Sequence, residues 1–280
     1  MPTKRVIARL DIKGPNLVKG INLEGLRVLG NPSEFAKYYY ESGADEILLI
    51  DSVASLYERN SLDEIISYTS RNTFVPITVG GGIRNIDDIR RILRAGADKV
   101  SINTAAIKTP DFIREAVEKF GSSTIVITME VIKDQNGEYL CFTDNGREYT
   151  GLNILNWIED VQKIGVGEII LTSVDNEGTG DGPNFELLKT IENKLRIPLI
   201  YHGGIGNINH VVDVFKNFEI DGISLASSLH YGFIQDHNTN PSIDEGNISF
   251  IKNKRSFKKI EGFTISQLKE KLIENNIYVR

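Results

Sequence analysis

Cysteine is nearly absent. Cys141 stands alone in 280 residues, which excludes an internal disulfide framework and fits a reducing compartment. Charge of one sign does not dominate either. A net charge of −6 argues against broad binding to nucleic acid or an anionic membrane, and leaves room for a local basic site that takes an anion. Long hydrophobic runs are missing too. Met-Pro-Thr-Lys-Arg leads into a short apolar stretch that breaks at Arg9 and Asp11. Neither a signal peptide nor a membrane span is expected, and a cytoplasmic location is the default. The few histidines, His202, His210, His230 and His237, lack the spacing of a metal-ligand cluster, so no metal or cofactor is expected. Cys141 has no base near it in sequence, and an inert thiol is expected.

What is present is ordinary material for a soluble globular protein, 40% hydrophobic and 25% charged. Short apolar runs alternate with amphipathic stretches. Strands are expected at Val6–Leu10, Glu46–Ile50, Val75–Val79, Lys99–Ile102, Thr124–Met129, Glu168–Leu171, Pro198–Tyr201 and Gly222–Leu225. Most are continuous β-branched runs, as parallel strands buried on both faces require. Helices are expected between them. Asn31-Pro32 caps one through Ser42, Asn85 caps Ile86–Arg94 before Gly96, and Thr109-Pro110 opens one through Lys119. Others run near Leu152–Ile164, Phe185–Asn193 and Val211–Phe218, with a last one at Ser266–Glu274. Eight strands each followed by a helix imply a closed parallel barrel or a doubly wound sheet.

An internal repeat decides for the barrel. Gly81-Gly82-Ile83, a helix and Ala97-Asp98-Lys99-Val100-Ser101-Ile102-Asn103 are echoed by Gly203-Gly204-Ile205, a helix and Ile220-Asp221-Gly222-Ile223-Ser224-Leu225-Ala226. The first strand ends in Asp11 and the fifth in Glu130; the second starts at Glu46 and the sixth at Glu168. Two similar four-unit halves make a pseudo-twofold (β/α)8 TIM barrel, expected to span residues 1–280 as one domain. A polar, poorly periodic insertion interrupts it at about 231–262, after the eighth strand. Loops of that length are uncommon and often functional.

Active sites of such barrels sit at the C-terminal ends of the strands. Asp11 and Glu130 end opposite strands there, suited to proton transfer at two ends of one substrate; a lone acid would more often cap a loop or pair with a lysine such as Lys19. The glycines at 80–82 with Ser101–Ala105, and His202-Gly203-Gly204 with Leu225–Ser228, offer backbone N–H groups and hydroxyls on opposite sides. Donors of that kind bind phosphate, and two symmetric sets imply a ligand with a phosphate at each end. At the other end of the barrel, Arg5, Glu46, Lys99 and Glu168 begin the first, second, fourth and sixth strands. They can close into an ion-pair plug or into a gate for a small neutral molecule.

These residues resemble the cyclase subunit of imidazole glycerol phosphate synthase, the HisF family. The likeness runs from Lys4 to about His230 and through the last helix to Val279. It rests on Arg-Leu-Asp11-Ile-Lys with Val18-Lys19-Gly20, Asp51-Ser-Val-Ala-Ser55, Thr78-Val-Gly-Gly-Gly-Ile83, the string from Gly96 to Ala106, and Gly167-Glu-Ile-Ile-Leu-Thr-Ser173. The resemblance implies a lyase-type cyclase of histidine biosynthesis. It would use a bisphosphorylated ribulosyl precursor and ammonia to form imidazole glycerol phosphate and aminoimidazole carboxamide ribotide. Ammonia would come from a class I glutaminase docked on the barrel floor and pass along the barrel. Asp11 matches the catalytic acid/base, with Glu130 opposite it. Arg5, Glu46, Lys99 and Glu168 match the gate, and Asp98 matches a residue of the glutaminase interface. Gly82, Asn103 and Thr104 match one phosphate site; Gly204, Ala226 and Ser227 match the other. Lys19, Thr172 and Glu177 are expected among the substrate contacts.

Departures from the family pattern cluster at the mouth. Glu130 and Glu177 are each a methylene longer than the family's aspartates, Arg9 replaces a small residue, and His202 stands where Ser is frequent. A shift of about 1 Å at such a group can cost on the order of 100-fold in rate. The same pattern resembles barrel paralogues that deliver ammonia for amidation of a bacterial surface sugar, the alternative reading. A third, the isomerase of the preceding histidine step, shares the half-barrel repeat and a string like Gly182-Pro-Asn184, but has no use for a charged ring at the floor.

Overall fold

The computed structural model describes residues 3–54, 62–236 and 259–280. Twelve strands occur among the described residues: β1 (Arg5–Lys13), β2 (Asn16–Ile21), β3 (Glu24–Gly30), β4 (Glu46–Asp51), β5 (Ile77–Gly80), β6 (Lys99–Ile102), β7 (Ile125–Lys133), β8 (Tyr139–Thr143), β9 (Glu148–Asn153), β10 (Glu168–Ser173), β11 (Leu199–His202) and β12 (Gly222–Leu225). Eight of them pair in parallel in the order β1, β4, β5, β6, β7, β10, β11, β12, and β12 pairs with β1. The sheet therefore closes on itself as a (β/α)8 barrel with no free edge, as the eight apolar runs and the repeat predict.

Around the barrel lie α1 (Pro32–Glu41), α2 (Asp63–Asn72), α3 (Ile86–Ala95), α4 (Thr104–Lys108), α5 (Pro110–Phe120), α6 (Ile154–Ile164), α7 (Phe185–Ile191), α8 (Ile208–Asn217), α9 (Ser227–Asp236) and α10 (Ile265–Glu274). Their starts are written in the sequence. The side chains of Asn31, Asn85 and Asn207 accept from Ser33, Asp88 and His210 backbone N–H groups, satisfying donors that a helix N-terminus leaves orphaned. Thr264 and Gln267 form a reciprocal capping box at α10. Asn85 and Asn207 do the same job in the two halves, so the repeat reaches down to single hydrogen bonds.

Two antiparallel hairpins were not foreseen. β1 runs on past the barrel and pairs with β2, which pairs with β3; β7 likewise runs on into β8 and β9. Both hairpins stand on the rim at the C-terminal ends of the strands, at matching places in the two halves. The polar insertion expected from about Tyr231 starts later than that, because α9 continues to Asp236 and buries Tyr231, Phe233 and Ile234. Residues 237–258, most of that insertion, and His237 with them, lie outside the described residues.

The main core fills the shell between barrel and helices, as Val6, Leu10, Ile47 and Leu49 facing Phe35, Ile66 and Ile89 illustrate. Inside the barrel a separate apolar layer is built from Ile7, Leu48, Val126, Ile170 and Ile200. Strand alternation puts Arg5, Arg9 and Asp11 on the same face as Ile7. The interior is thus stacked from floor to mouth as a charged layer, an aliphatic layer, a polar layer and the carboxylates.

Candidate active site

The floor closes into a ring. Arg5 binds Glu46 at 3.3 Å and also pairs with Glu168; Lys99 reaches Glu46 at 3.0 Å and Glu168 at 3.2 Å. Thr78 adds a hydroxyl donor to Glu46. Two cations and two anions alternate around the axis, so each carboxylate keeps two cationic partners while largely buried. Strand register explains the meeting: Ile7 pairs with Glu46 in one half and Val126 with Glu168 in the other. Asp98, also at the floor, is exposed and accepts from the Ile77 N–H at 2.8 Å. Asp45 and Asp221 hold Val6 and Leu199 in the same way.

The mouth is organised around Arg9. Its guanidinium grips Asp11 through Nε at 3.0 and 3.2 Å and Nη2 at 2.8 Å, and reaches Thr172 Oγ1 at 3.4 Å. Arg9 and Asp11 are 3% and 7% exposed, so this is a buried, charge-assisted pair. The partner of Asp11 is Arg9 rather than Lys19. Glu130 faces the same region across the barrel and accepts from the Gly146 N–H at 2.8 Å. Burial pushes its carboxyl up to about 7, against the opposing pull of the Gly146 N–H and of Arg9. Glu177 is raised as well, mainly by burial, while the Leu23 N–H donates to it at 2.9 Å. Lys19 is pushed down to about 8 by burial, with Glu177 resisting. Its ammonium lies 5.6 Å from the Tyr231 ring and donates to Gly20 O.

The unforeseen hairpins roof this mouth. Leu23 is at the tip of the first and Gly146 at the tip of the second, so each tip donates a backbone N–H to one of the long acids, Glu177 or Glu130. The tips also touch each other: Asn145 donates to Leu23 O at 2.9 Å. Asn22, Leu23, Asp144 and Asn145 all have φ between 52 and 63°, the left-handed conformation that tight hairpin turns need. Asn22 and the Asp144-Asn145-Gly146 run are the sequence signals that could have located them.

Gly82, Asn103 and Thr104 line a cavity of about 520 Å³ together with Arg9, Glu130, Arg84 and Lys108. Arg84 and Lys108 add positive charge beside the backbone donors and escaped the sequence reading. On the opposite side Gly204, Ala226 and Ser227 line a second recess with Glu177 and His202, closed down to about 20 Å³. Ser227 Oγ is buried there without a hydrogen-bond partner. The glycines are sterically required. A Cβ on Gly81 would lie 2.3 Å from Asp51 O, and one on Gly204 1.9 Å from Gly182 O, with φ of 96° and 80°. Cys141 is fully buried and its thiol is pushed up to about 12, so it takes no part. Among the described residues no group of three or more His, Cys, Asp or Glu side chains is placed to hold a metal ion.

A closed (β/α)8 barrel with matched acids and matched glycine-rich turns at its mouth defines the class: a half-barrel-repeat protein. The histidine biosynthesis protein family model matches residues 5–235, and the chain belongs to that family. It is 53% identical to the imidazole glycerol phosphate synthase subunit HisF of Legionella pneumophila over 74% of its length and 98% of that protein's. It is 42% identical to the HisF subunit of Methanococcus maripaludis over 89% and 99%, and 44% to that of Lactococcus lactis over 90% and 95%. These names describe a subunit, a protein that works with another. No helix among the described residues is long and apolar enough to cross a membrane.

Proposed function

We propose that this chain is the cyclase subunit of an imidazole glycerol phosphate synthase, a lyase-type enzyme of histidine biosynthesis working in the cytoplasm. Its substrate is a bisphosphorylated ribulosyl precursor, and its second reactant is ammonia from a class I glutaminase on the barrel floor. One observation carries the reading. Two carboxylates, Asp11 and Glu130, face each other at the mouth of a barrel whose opposite end is a closed ring of Arg5, Glu46, Lys99 and Glu168. A ring of balanced charge over an aliphatic layer suits the passage of a small neutral molecule.

In this reading Asp11 moves the proton at the ring-closing centre, and Arg9 keeps its carboxylate oriented. Glu130 does the complementary transfer. A carboxyl near 7 is suited to both giving and taking a proton close to neutral pH. Gly82, Asn103 and Thr104 hold one phosphate and Gly204, Ala226 and Ser227 the other. Lys19, Thr172 and Glu177 contact the substrate between them. The glutaminase docks beside Asp98, where Phe74 before β5 and Tyr278 beside Lys4 are 81% and 63% exposed. The names of the relatives do not favour the alternative of amidating a surface sugar.

The test is direct. The purified chain, given the bisphosphate and an ammonium salt, should release imidazole glycerol phosphate and the ribotide in equal amounts. An absence of turnover at high ammonium concentration would reject the reading.

A further inference from the structure

His202 is a buried titratable group that the scheme above does not use. It ends β11, between Thr172 on β10 and Ser224 on β12, which its register pairs with it directly. Its side chain lines the small recess on the second half and is 4% exposed. Nδ1 lies 2.9 Å from Ser224 O. A carbonyl oxygen accepts and never donates, so Nδ1 carries the hydrogen. Burial, helped by the charge of Arg9, keeps the ring neutral, with its pKa well below the ordinary histidine value. A neutral imidazole has one N–H. Nε2 is therefore a bare lone pair, and it is buried with no hydrogen-bond partner. Ser224 Oγ, on the adjacent strand, is buried and unpartnered as well.

An unmet acceptor in a protein interior is unfavourable, so the site asks for a donor. Its surroundings specify which. His202 and Ser224 belong to β11 and β12 and line the strand end of the recess, whereas Gly204, Ala226 and Ser227, assigned above to a phosphate, follow those strands. Before substrate widens it, the recess of about 20 Å³ admits a molecule the size of ammonia or water. Arg9, although paired with Asp11, still acts on His202 as a positive charge, and Glu177, which lines the same recess, is pushed toward its neutral form by burial, so neutral ammonia is favoured there over ammonium. The layer beneath is the aliphatic one of Ile7, Leu48, Val126, Ile170 and Ile200, which offers no hydrogen bond of its own. The carboxylates Asp11 and Glu130 lie on the mouth side.

We infer that His202 Nε2, with Ser224 Oγ, receives the small neutral N–H donor that leaves the aliphatic layer. The imidazole takes one N–H of ammonia and Ser224 Oγ another, which leaves the nitrogen lone pair free toward the mouth. The inference rests on the ammonia-dependent reading given above. It is a device of one half: the matching position in the first half is Gly80, which has no side chain.

Two measurements decide it. The first needs no turnover. In the intact chain labelled with 15N-histidine, His202 should be the Nδ1–H tautomer. Its Nε2 resonance should move when ammonium chloride is added in alkaline buffer, where free ammonia is abundant. The same salt in acidic buffer, and sodium chloride, should leave it in place. A hydrogen on Nε2, or a resonance that ammonia leaves unmoved because a resident water fills the site, overturns the inference. The second is kinetic, in His202→Phe and His202→Gln. Losing the acceptor in the Phe variant should raise KM for ammonia about tenfold, the equivalent of one hydrogen bond. Gln, whose amide oxygen accepts, should recover most of the loss. An unchanged KM for ammonia in a folded Phe variant overturns it. Wild-type chain without turnover would reject the cyclase reading instead, and the spectra would still decide the role of His202.

Discussion

The two halves of the barrel agree in what builds it and differ in what fills its axis. Asp11 and Glu130, Glu46 and Glu168, Gly81 and Gly203, Asp98 and Asp221, Ser101 and Ser224 occupy matching positions, and the rim hairpins match too. The exceptions lie inside. Arg9 faces out of the first half where the second has Thr128; Gly80 and Ile50 stand where the second half has His202 and Thr172; Lys99 stands opposite Gly222. The turns after β5 and β6 in the first half open onto the cavity of about 520 Å³, while those after β11 and β12 in the second close on a recess of about 20 Å³. Symmetry supplies a site with two similar ends. Its breaking gives the axis a direction, with Arg9 reaching from one half onto Thr172 of the other.

The largest effect should come from removing what the halves share at the mouth. Asp11→Asn and Glu130→Gln should each cut kcat by about 100-fold or more, the scale of general acid–base catalysis, read by product formation at saturating ammonium. Equal losses would mean that both halves act; loss in one alone would leave the other a spectator.

Lys99→Met attacks an unshared residue at the floor. It leaves Glu46 and Glu168 to one cation, and breaking a buried charge network costs about 3 kcal/mol. The denaturation midpoint should fall accordingly. An unchanged midpoint would mean that the ring carries no structural weight.

Glu130→Gln should also act on stability, with a sign set by burial. The carboxyl is raised from 4.5 to about 7 in the fold, so folding favours its neutral form. Its contribution is best below pH 4.5, worsens as pH rises toward 7, and levels off above. The Gln variant should therefore be more stable than wild type at pH 8 by about 3 kcal/mol, and indistinguishable at pH 4, in urea unfolding. The smallest effect is a shift of the pH profile in Arg9→Met, a variant that also strips Asp11 of its buried partner and so should lose kcat and stability as well. Arg9 holds Glu130 down, so the limb of the kcat/KM profile near pH 7 should move to the alkaline side, by less than about one unit.

Much of this was legible from residues alone, for physical reasons. The barrel strands are buried on both faces and read as unbroken β-branched runs. The acids and glycines stood out because they recur in the same order in both halves. The hairpins were hidden because β3 and β9 are half exposed and their polarity is mixed. The Arg9–Asp11 pair was available in principle, since residues two apart on a strand share a face. It was overlooked because Lys19 looked the natural partner. Arg84 and Lys108 sit just past strand ends, and their approach to the first cavity depends on turn geometry that no periodicity encodes. The tautomer of His202 follows from the position of Ser224 O, a fact of register between strands far apart in sequence.

The central claim is that the matched halves grip one substrate by two phosphates and act on it from both sides. A crystal structure of the chain soaked with the bisphosphate tests it most directly. The account predicts one phosphate on Gly82, Asn103 and Thr104 and the other on Gly204, Ala226 and Ser227, with the second recess widened and the reacting carbons between Asp11 and Glu130. A ligand held through a single phosphate in the large cavity, with the recess beside His202 still closed, would contradict it.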